Sequence, residues 1–357
     1  MNVILRVISL VTMSQIAIGF AELSQAETSA PIVATTSATP TAPVDPVAVR
    51  PLEGMVPNNL IVMGDGKAFS EYAIIADKAK RTLTLWHFKD GKIDLVDAYP
   101  MDIGKAGGDK VSNGDHKTPE GIYFPQEMLD GTKVNFDLYG VRIFTLNYPN
   151  FFDRLARKTG YGIWLHAVPD TQTLLRGSRG CVVVRNEIIT QLTPYITLKK
   201  TPVIIEDEVK YVVHSEIRAR QEKINKWIES WREAWQKKDI EKYISFYDDQ
   251  FRGLRMNKQN WKNFKNSLNE RYKDISVQIT NPVFFSRNNE AILNFMQKYD
   301  SPGVKDYGRK TLHLRMDAQG EYKILGEEWA PEVGGLLAHK PEESKKADEE
   351  KAKKPSM

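Results

Sequence analysis

Between residues 58 and 212 the hydrophobic positions come in short runs: 72–76, 82–86, 92–96, 142–146, 162–166, 181–184 and 201–205, each broken by Gly, Pro, Asn or Asp. Runs of this length, rich in β-branched and aromatic residues and bounded by turn formers, predict strands. Lys89-Asp90-Gly91-Lys92 predicts a tight hairpin, because Asp-Gly readily supplies the positive φ angles such a turn needs. One short helix is expected at 186–192, directly after the 181–184 strand. This part of the chain should be mainly β.

From residue 216 the spacing changes. Ile224, Trp227, Ile228, Trp231 and Trp235 recur every three or four positions, which places them on one face of a helix. Further helices are expected over about 239–247 and 261–272. Four strand-like runs follow at 275–285, 291–299, 310–316 and 322–329, separated by Asn288-Asn289, Ser301-Pro302-Gly303 and Gln319-Gly320 turns. Helices followed by an antiparallel sheet predict a separate α+β domain.

The two ends read differently. Arg6, an apolar stretch over 7–20 and small residues at Ala21 and Ala26 have the form of a secretory signal peptide over 1–26, too short and too polar for a membrane span. Residues 27–57 are rich in Thr, Ala, Val and Pro, and predict an extended linker. Residues 333–357 end in a run of Lys, Glu, Asp and Ala that cannot bury a core, so a solvated tail is expected. The domains are therefore read as 58–212 and 213–332, in an exported protein of the periplasm or cell envelope.

A net charge of +4, from 50 Lys and Arg against 46 Asp and Glu, disfavours a nucleic-acid partner. A single cysteine excludes an internal disulfide and a zinc site built on several thiolates. No histidine has metal-ligand spacing, so neither metal nor cofactor is expected. His116, in a polar loop, reads as a turn residue.

The candidate chemistry lies at Cys181. A thiol becomes a nucleophile when a base takes its proton and nearby cations favour the thiolate; His166 is the candidate base, with Arg176 and Arg179 close in sequence. Ser178-Arg179-Gly180 before Cys181 offers unobstructed backbone amides for an oxyanion. The competing reading is a small buried hydrophobe opening an apolar strand.

His166, an eleven-residue interval and Ser178-Arg179-Gly180-Cys181 resemble the signature of the L,D-transpeptidase (YkuD-type) catalytic domain, whose pattern is His, an interval, then Ser/Thr-His-Gly-Cys. The segment Asn-Gly-Asp-His-Lys-Thr-Pro-Glu-Gly-Ile-Tyr at 113–123 resembles a second element of that domain, Thr-Pro-x-Gly-x-aromatic. The resemblance covers roughly residues 70–206. Arg179 stands where the family usually has His, the interval is short, and Val183 replaces a residue that is often polar. These departures resemble a cell-shape-determining branch of L,D-carboxypeptidases.

The resemblance implies Cys181 as nucleophile, His166 as general base oriented by the carbonyl of Ala167, and the amides of Gly180 and Cys181 as oxyanion donors. Arg179, Ser178 and Arg176 would contact substrate, with a guanidinium taking a carboxylate. The implied substrate is the peptidoglycan tetrapeptide stem, cut before its terminal D-Ala. Water as acceptor makes a carboxypeptidase, and a stem amine makes a transpeptidase. Release of a covalently attached envelope protein, or a non-catalytic wall-binding scaffold, are the alternatives. The C-terminal part resembles a nuclear-transport-factor-like (SnoaL-like) cone, helices over a curved antiparallel sheet, which implies an accessory domain that binds a small ligand or forms a homodimer.

Overall fold

The computed structural model describes residues 44–175 and 177–332; the signal segment, the tail and Arg176 lie outside the described residues. The first part contains strands β1 (Met55–Pro57), β2 (Leu60–Val62), β3 (Tyr72–Asp77), β4 (Thr82–Lys89), β5 (Lys92–Pro100), β6 (Gly121–Tyr123) and β7 (Pro125–Asp130). Helix α1 (Phe136–Tyr139), β8 (Arg142–Leu146), α2 (Phe151–Leu155), β9 (Trp164–Val168), β10 (Val182–Arg185), α3 (Asn186–Leu192), β11 (Val203–Glu206) and β12 (Tyr211–Val213) follow. The remainder is α4 (His214–Gln236), α5 (Ile240–Ser245), β13 (Tyr247–Gly253), β14 (Met256–Asn257), α6 (Lys258–Arg271), β15 (Ser276–Arg287), β16 (Glu290–Ser301), β17 (Val304–Met316) and β18 (Tyr322–Pro331).

The strands stack in layers. A four-stranded sheet, β10-β9-β8-β7, faces a five-stranded sheet, β5-β4-β3-β11-β6, across a core that includes Ile74, Leu85, Phe144, Leu165, Val182 and Ile205. The opposite face of the five-stranded sheet carries Ala73, Ile75, Trp86 and Ile204, which pack on Phe285, Ile292 and Met296 of the seven-stranded sheet β14-β13-β18-β17-β16-β15-β2. The far side of that sheet, with Leu293, Phe295 and Leu312, is covered by Ile224, Ile228, Trp231 and Trp235 of α4. The first part is thus mainly β, and the second mixes helices with a sheet. Burial on both faces explains the uninterrupted apolar run of β3, since a strand with one wet face would alternate.

Local chemistry sets the element ends. Asp90 and Gly91 take φ of 51° and 79° in the β4–β5 hairpin. The Asp239 side chain caps α5 on the Lys242 amide, and Asn257 caps α6 on the Asn260 amide. His116 takes φ 55° two residues beyond the turn at Asn113-Gly114.

Some elements depart from the sequence expectation. Residues 55–57, read as linker from their composition, pair with β12, and Pro57 tolerates this at the end of a two-stranded edge. Upstream of them, Asp45 accepts a 2.8 Å bond from the Leu174 amide and Val49 donates a 2.9 Å bond to Thr82, so the described end of the linker is docked. β2 pairs with β15, more than two hundred residues away in the chain. β13 forms between the helices expected at 239–247 and 261–272, where no element is predicted, and takes Tyr247 from the first of them: Tyr247 and Phe251 are buried and the strand lies parallel to β18. β17 begins six residues earlier than the hydrophobic run at 310, because residues 304–309 pair fully with β16.

Candidate active site

Strands β9 and β10 run parallel, with Val182 opposite Leu165 and Val183 opposite His166. Side chains alternate along a strand. Leu165, Ala167, Val182 and Val184 therefore enter the core between the two sheets, while Trp164, His166, Val168, Cys181 and Val183 share the other face. Continuing the register by one residue sets Cys181 beside Trp164, one diagonal step from His166, about 8 Å between Cα atoms by strand geometry.

The His166 Nδ1 lies 2.8 Å from the carbonyl oxygen of Ala167. A carbonyl only accepts, so Nδ1 carries the proton and Nε2 presents a lone pair. The Tyr139 ring meets the imidazole edge-on, with centroids 5.2 Å apart, and limits its rotation. Burial pushes the imidazolium pKa down to about 4, against opposing contributions from the Ala167 hydrogen bond and the Asp102 carboxylate. Burial likewise pushes the Cys181 thiol up to about 11, partly offset by a backbone hydrogen bond from Trp164 and by the Lys110 ammonium. Near neutral pH the pair is therefore a thiol and a neutral imidazole. The Cys181 sulfur lies 3.6 Å from the Gly162 carbonyl oxygen, which can accept a hydrogen bond from the thiol in the resting state.

The loop before the nucleophile is held tightly. Gly180 has φ 125°, and a Cβ there would sit 2.6 Å from the Lys117 carbonyl oxygen, so only glycine fits. The Ser178 hydroxyl donates to the Cys181 carbonyl at 2.8 Å and accepts the Gly180 amide at 3.1 Å. Ser178 thus shapes the turn, and the Gly180 amide, expected as an oxyanion donor, is engaged inside the loop. Arg179 is exposed, and Arg176 lies outside the described residues.

Other supporting residues were not legible from the sequence. Asp102 bridges backbone to backbone with Val183, accepts the Gly177 amide at 2.8 Å and pairs with Arg81 at 2.8 Å. Gly104 bridges to Ser178, and its amide donates to the buried Thr118 hydroxyl at 2.8 Å. Lys110 is buried, with its ammonium 2.7 Å from Asp115. Burial alone would raise the Asp115 pKa, but its bonds from Lys110 and from the amides of Ser112, Val111 and Lys117 hold it well below the usual carboxylate range. The 113–123 segment thus fixes the backbone under Cys181 through Lys117 and Thr118, and the nearest buried cation through Asp115.

Residues 71–205 match the L,D-transpeptidase (YkuD) catalytic domain profile, and residues 223–328 match the Cds6 C-terminal NTF2-like domain profile. The solved structure of Bd1075 from Bdellovibrio bacteriovorus is 44% identical, with a TM-score of 0.72 over 78% of this chain and 99% of that one. The chain belongs to the YkuD-type L,D-transpeptidase/L,D-carboxypeptidase family. A second relative is the helical cell shape determining protein Pgp2 from Campylobacter jejuni. That structure is 26% identical, with a TM-score of 0.60 over 76% of this chain and 96% of that one. Comparison with curated protein sequences gave no match. Membership in this family makes the chain a cysteine-dependent, peptidoglycan-modifying enzyme related to the Pgp2 branch.

Proposed function

We propose that the enzyme cleaves the bond between the L-centre of the diamino acid and the terminal D-Ala of the peptidoglycan tetrapeptide stem. The observation that supports this most is the shared face of Cys181 and His166, with the imidazole fixed by the Ala167 carbonyl so that Nε2 is the free base. Because both groups are neutral at rest, proton transfer accompanies attack. As Sγ bonds to the carbonyl carbon, the thiol proton passes to His166 and then to the leaving amine, the C–N bond breaks, and D-Ala departs from a thioester. The Cys181 amide is the oxyanion donor in this reading, and the Arg179 and Arg176 guanidinium groups are its candidates for binding the stem carboxylate. Water then attacks the thioester, giving its proton to His166, and the thiol is restored as the tripeptide leaves.

The reading includes the periplasm as place of action and domain limits of 58–212 and 213–332. It treats the NTF2-like part as an accessory cone that holds a small ligand or pairs with a second copy. An amine from a neighbouring stem, in place of water, would make the same thioester a cross-link. The test is incubation of the mature protein and Cys181→Ala with disaccharide-tetrapeptide, with products followed by mass spectrometry. Tripeptide formed only with Cys181 present is expected. Unchanged tetrapeptide with the intact protein would overturn this reading in favour of an attached-protein donor or a scaffold.

A further inference from the structure

Arg287, the last residue of β15, crosses from the seven-stranded sheet to the first part of the molecule. Its guanidinium contacts Glu120 at 2.6 Å and Glu206 at 3.0 Å, and all three side chains are only 12–13% exposed. The buried Lys78 completes the cluster at 2.7 Å from the other Glu120 oxygen, and Asn59 donates to Glu206 at 2.7 Å. Two cations and two carboxylates balance, so removal of one member leaves a buried charge uncompensated.

Glu120 belongs to the Thr118-Pro119-Glu120-Gly121 segment, which reaches the nucleophile by two routes. Along the chain, Thr118 receives the Gly104 amide and the Lys117 carbonyl abuts Gly180. Across the cluster, Lys78 donates to the Gly108 carbonyl at 2.8 Å and the Glu120 amide donates to Asp109 at 2.9 Å. These two bonds anchor the residues just before Lys110, whose charge favours the Cys181 thiolate.

We infer that Arg287 of the NTF2-like region is a positioning residue for the Cys181 site, holding the 117–120 segment and Lys110 in place through Glu120. The inference rests on the proposed role of Cys181, but its first test needs no stem peptide. Cys181 is the only cysteine, so its iodoacetamide alkylation rate as a function of pH reports its setting directly. Arg287→Gln is expected to move that profile and lower kcat on tetrapeptide about tenfold with less change in KM, within the range for coupling through packed networks. Glu120→Gln should act similarly, and the double variant should be little worse than either. Arg154→Ala, which removes an exposed contact to Glu328 across the same boundary and an exposed bond to the Pro149 carbonyl, should leave both readouts unchanged.

Should Arg287→Gln not fold, Arg287→Lys replaces it: the charge stays while the two-carboxylate fork is lost, and an intermediate shift is expected. A folded Arg287 variant with the wild-type alkylation profile overturns the inference and leaves Arg287 a structural contact. Loss of tripeptide formation in the wild type would overturn the proposed reaction, and the alkylation comparison would still decide the coupling.

Discussion

Replacing Gly180 with alanine tests whether the backbone under Cys181 is fixed by close approach. The added Cβ would lie 2.6 Å from the Lys117 carbonyl oxygen, where ordinary contact begins at 3.4 Å, so the loop or the 117 segment must yield by about 0.8 Å. Neither side has a flexible end to swing away, because Lys117 contributes backbone and its neighbour Thr118 is fully buried and bonded to Gly104. Backbone strain at φ 125° costs ~1–3 kcal/mol and overpacking a similar amount, giving an expected loss of about 2–6 kcal/mol. A shift of roughly 1 Å in a reacting group costs about a hundredfold in rate. Urea denaturation and tetrapeptide turnover measure the two effects. Gly91→Ala is the matched control, since its φ is 79° and nothing lies within 4 Å of the added atom. It should lose about 1 kcal/mol and keep full turnover. If Gly180→Ala matched Gly91→Ala in both stability and turnover, the close-approach argument would be refuted.

Three further outcomes are expected. Since His166 must be neutral to act, kcat/KM should fall as pH drops through about 4, and stopped-assay pH profiles check this. The same depressed pKa gives a stability contribution that is complete above the unfolded value near 6.5 and is lost as pH falls through about 4, amounting to roughly 3 kcal/mol in acid-denaturation curves. Lys110→Met should move Cys181 alkylation to higher pH, because the buried cation that favours the thiolate is gone; an unmoved profile would show that its field does not reach the sulfur.

What the sequence made legible follows from how local each signal is. Residues 72–76 and 186–192 announce their elements through composition and spacing alone. The turn at Asp90-Gly91 depends on nothing outside itself. Cys181 and His166 could be singled out because their chemistry is carried by residue type. Their supports could not: Asp102 and Gly104 act through bridges to residues 183 and 178, which no local pattern encodes. Lys110 sits in a polar stretch that reads as solvated, and only folding buries it against Asp115. β13 was missed for a related reason, since Asp248, Asp249 and Gln250 hide a strand that exists because β18 offers it an edge.

The pairing of β2 with β15 also bears on how the protein is made. A strand at residues 60–62 waits for a partner at 284–285, so β2, the outermost strand of the seven-stranded sheet, has no edge to join until most of the chain is present. A fragment ending near residue 207 would leave β1 and β2 without β12 and β15, and would report the loss of a clasp as well as the loss of a domain. Such a clasp couples completion of the catalytic half to arrival of the residues beyond 207, about 150 of the 357. A chain cut short before residue 284 would carry the catalytic half with that clasp open.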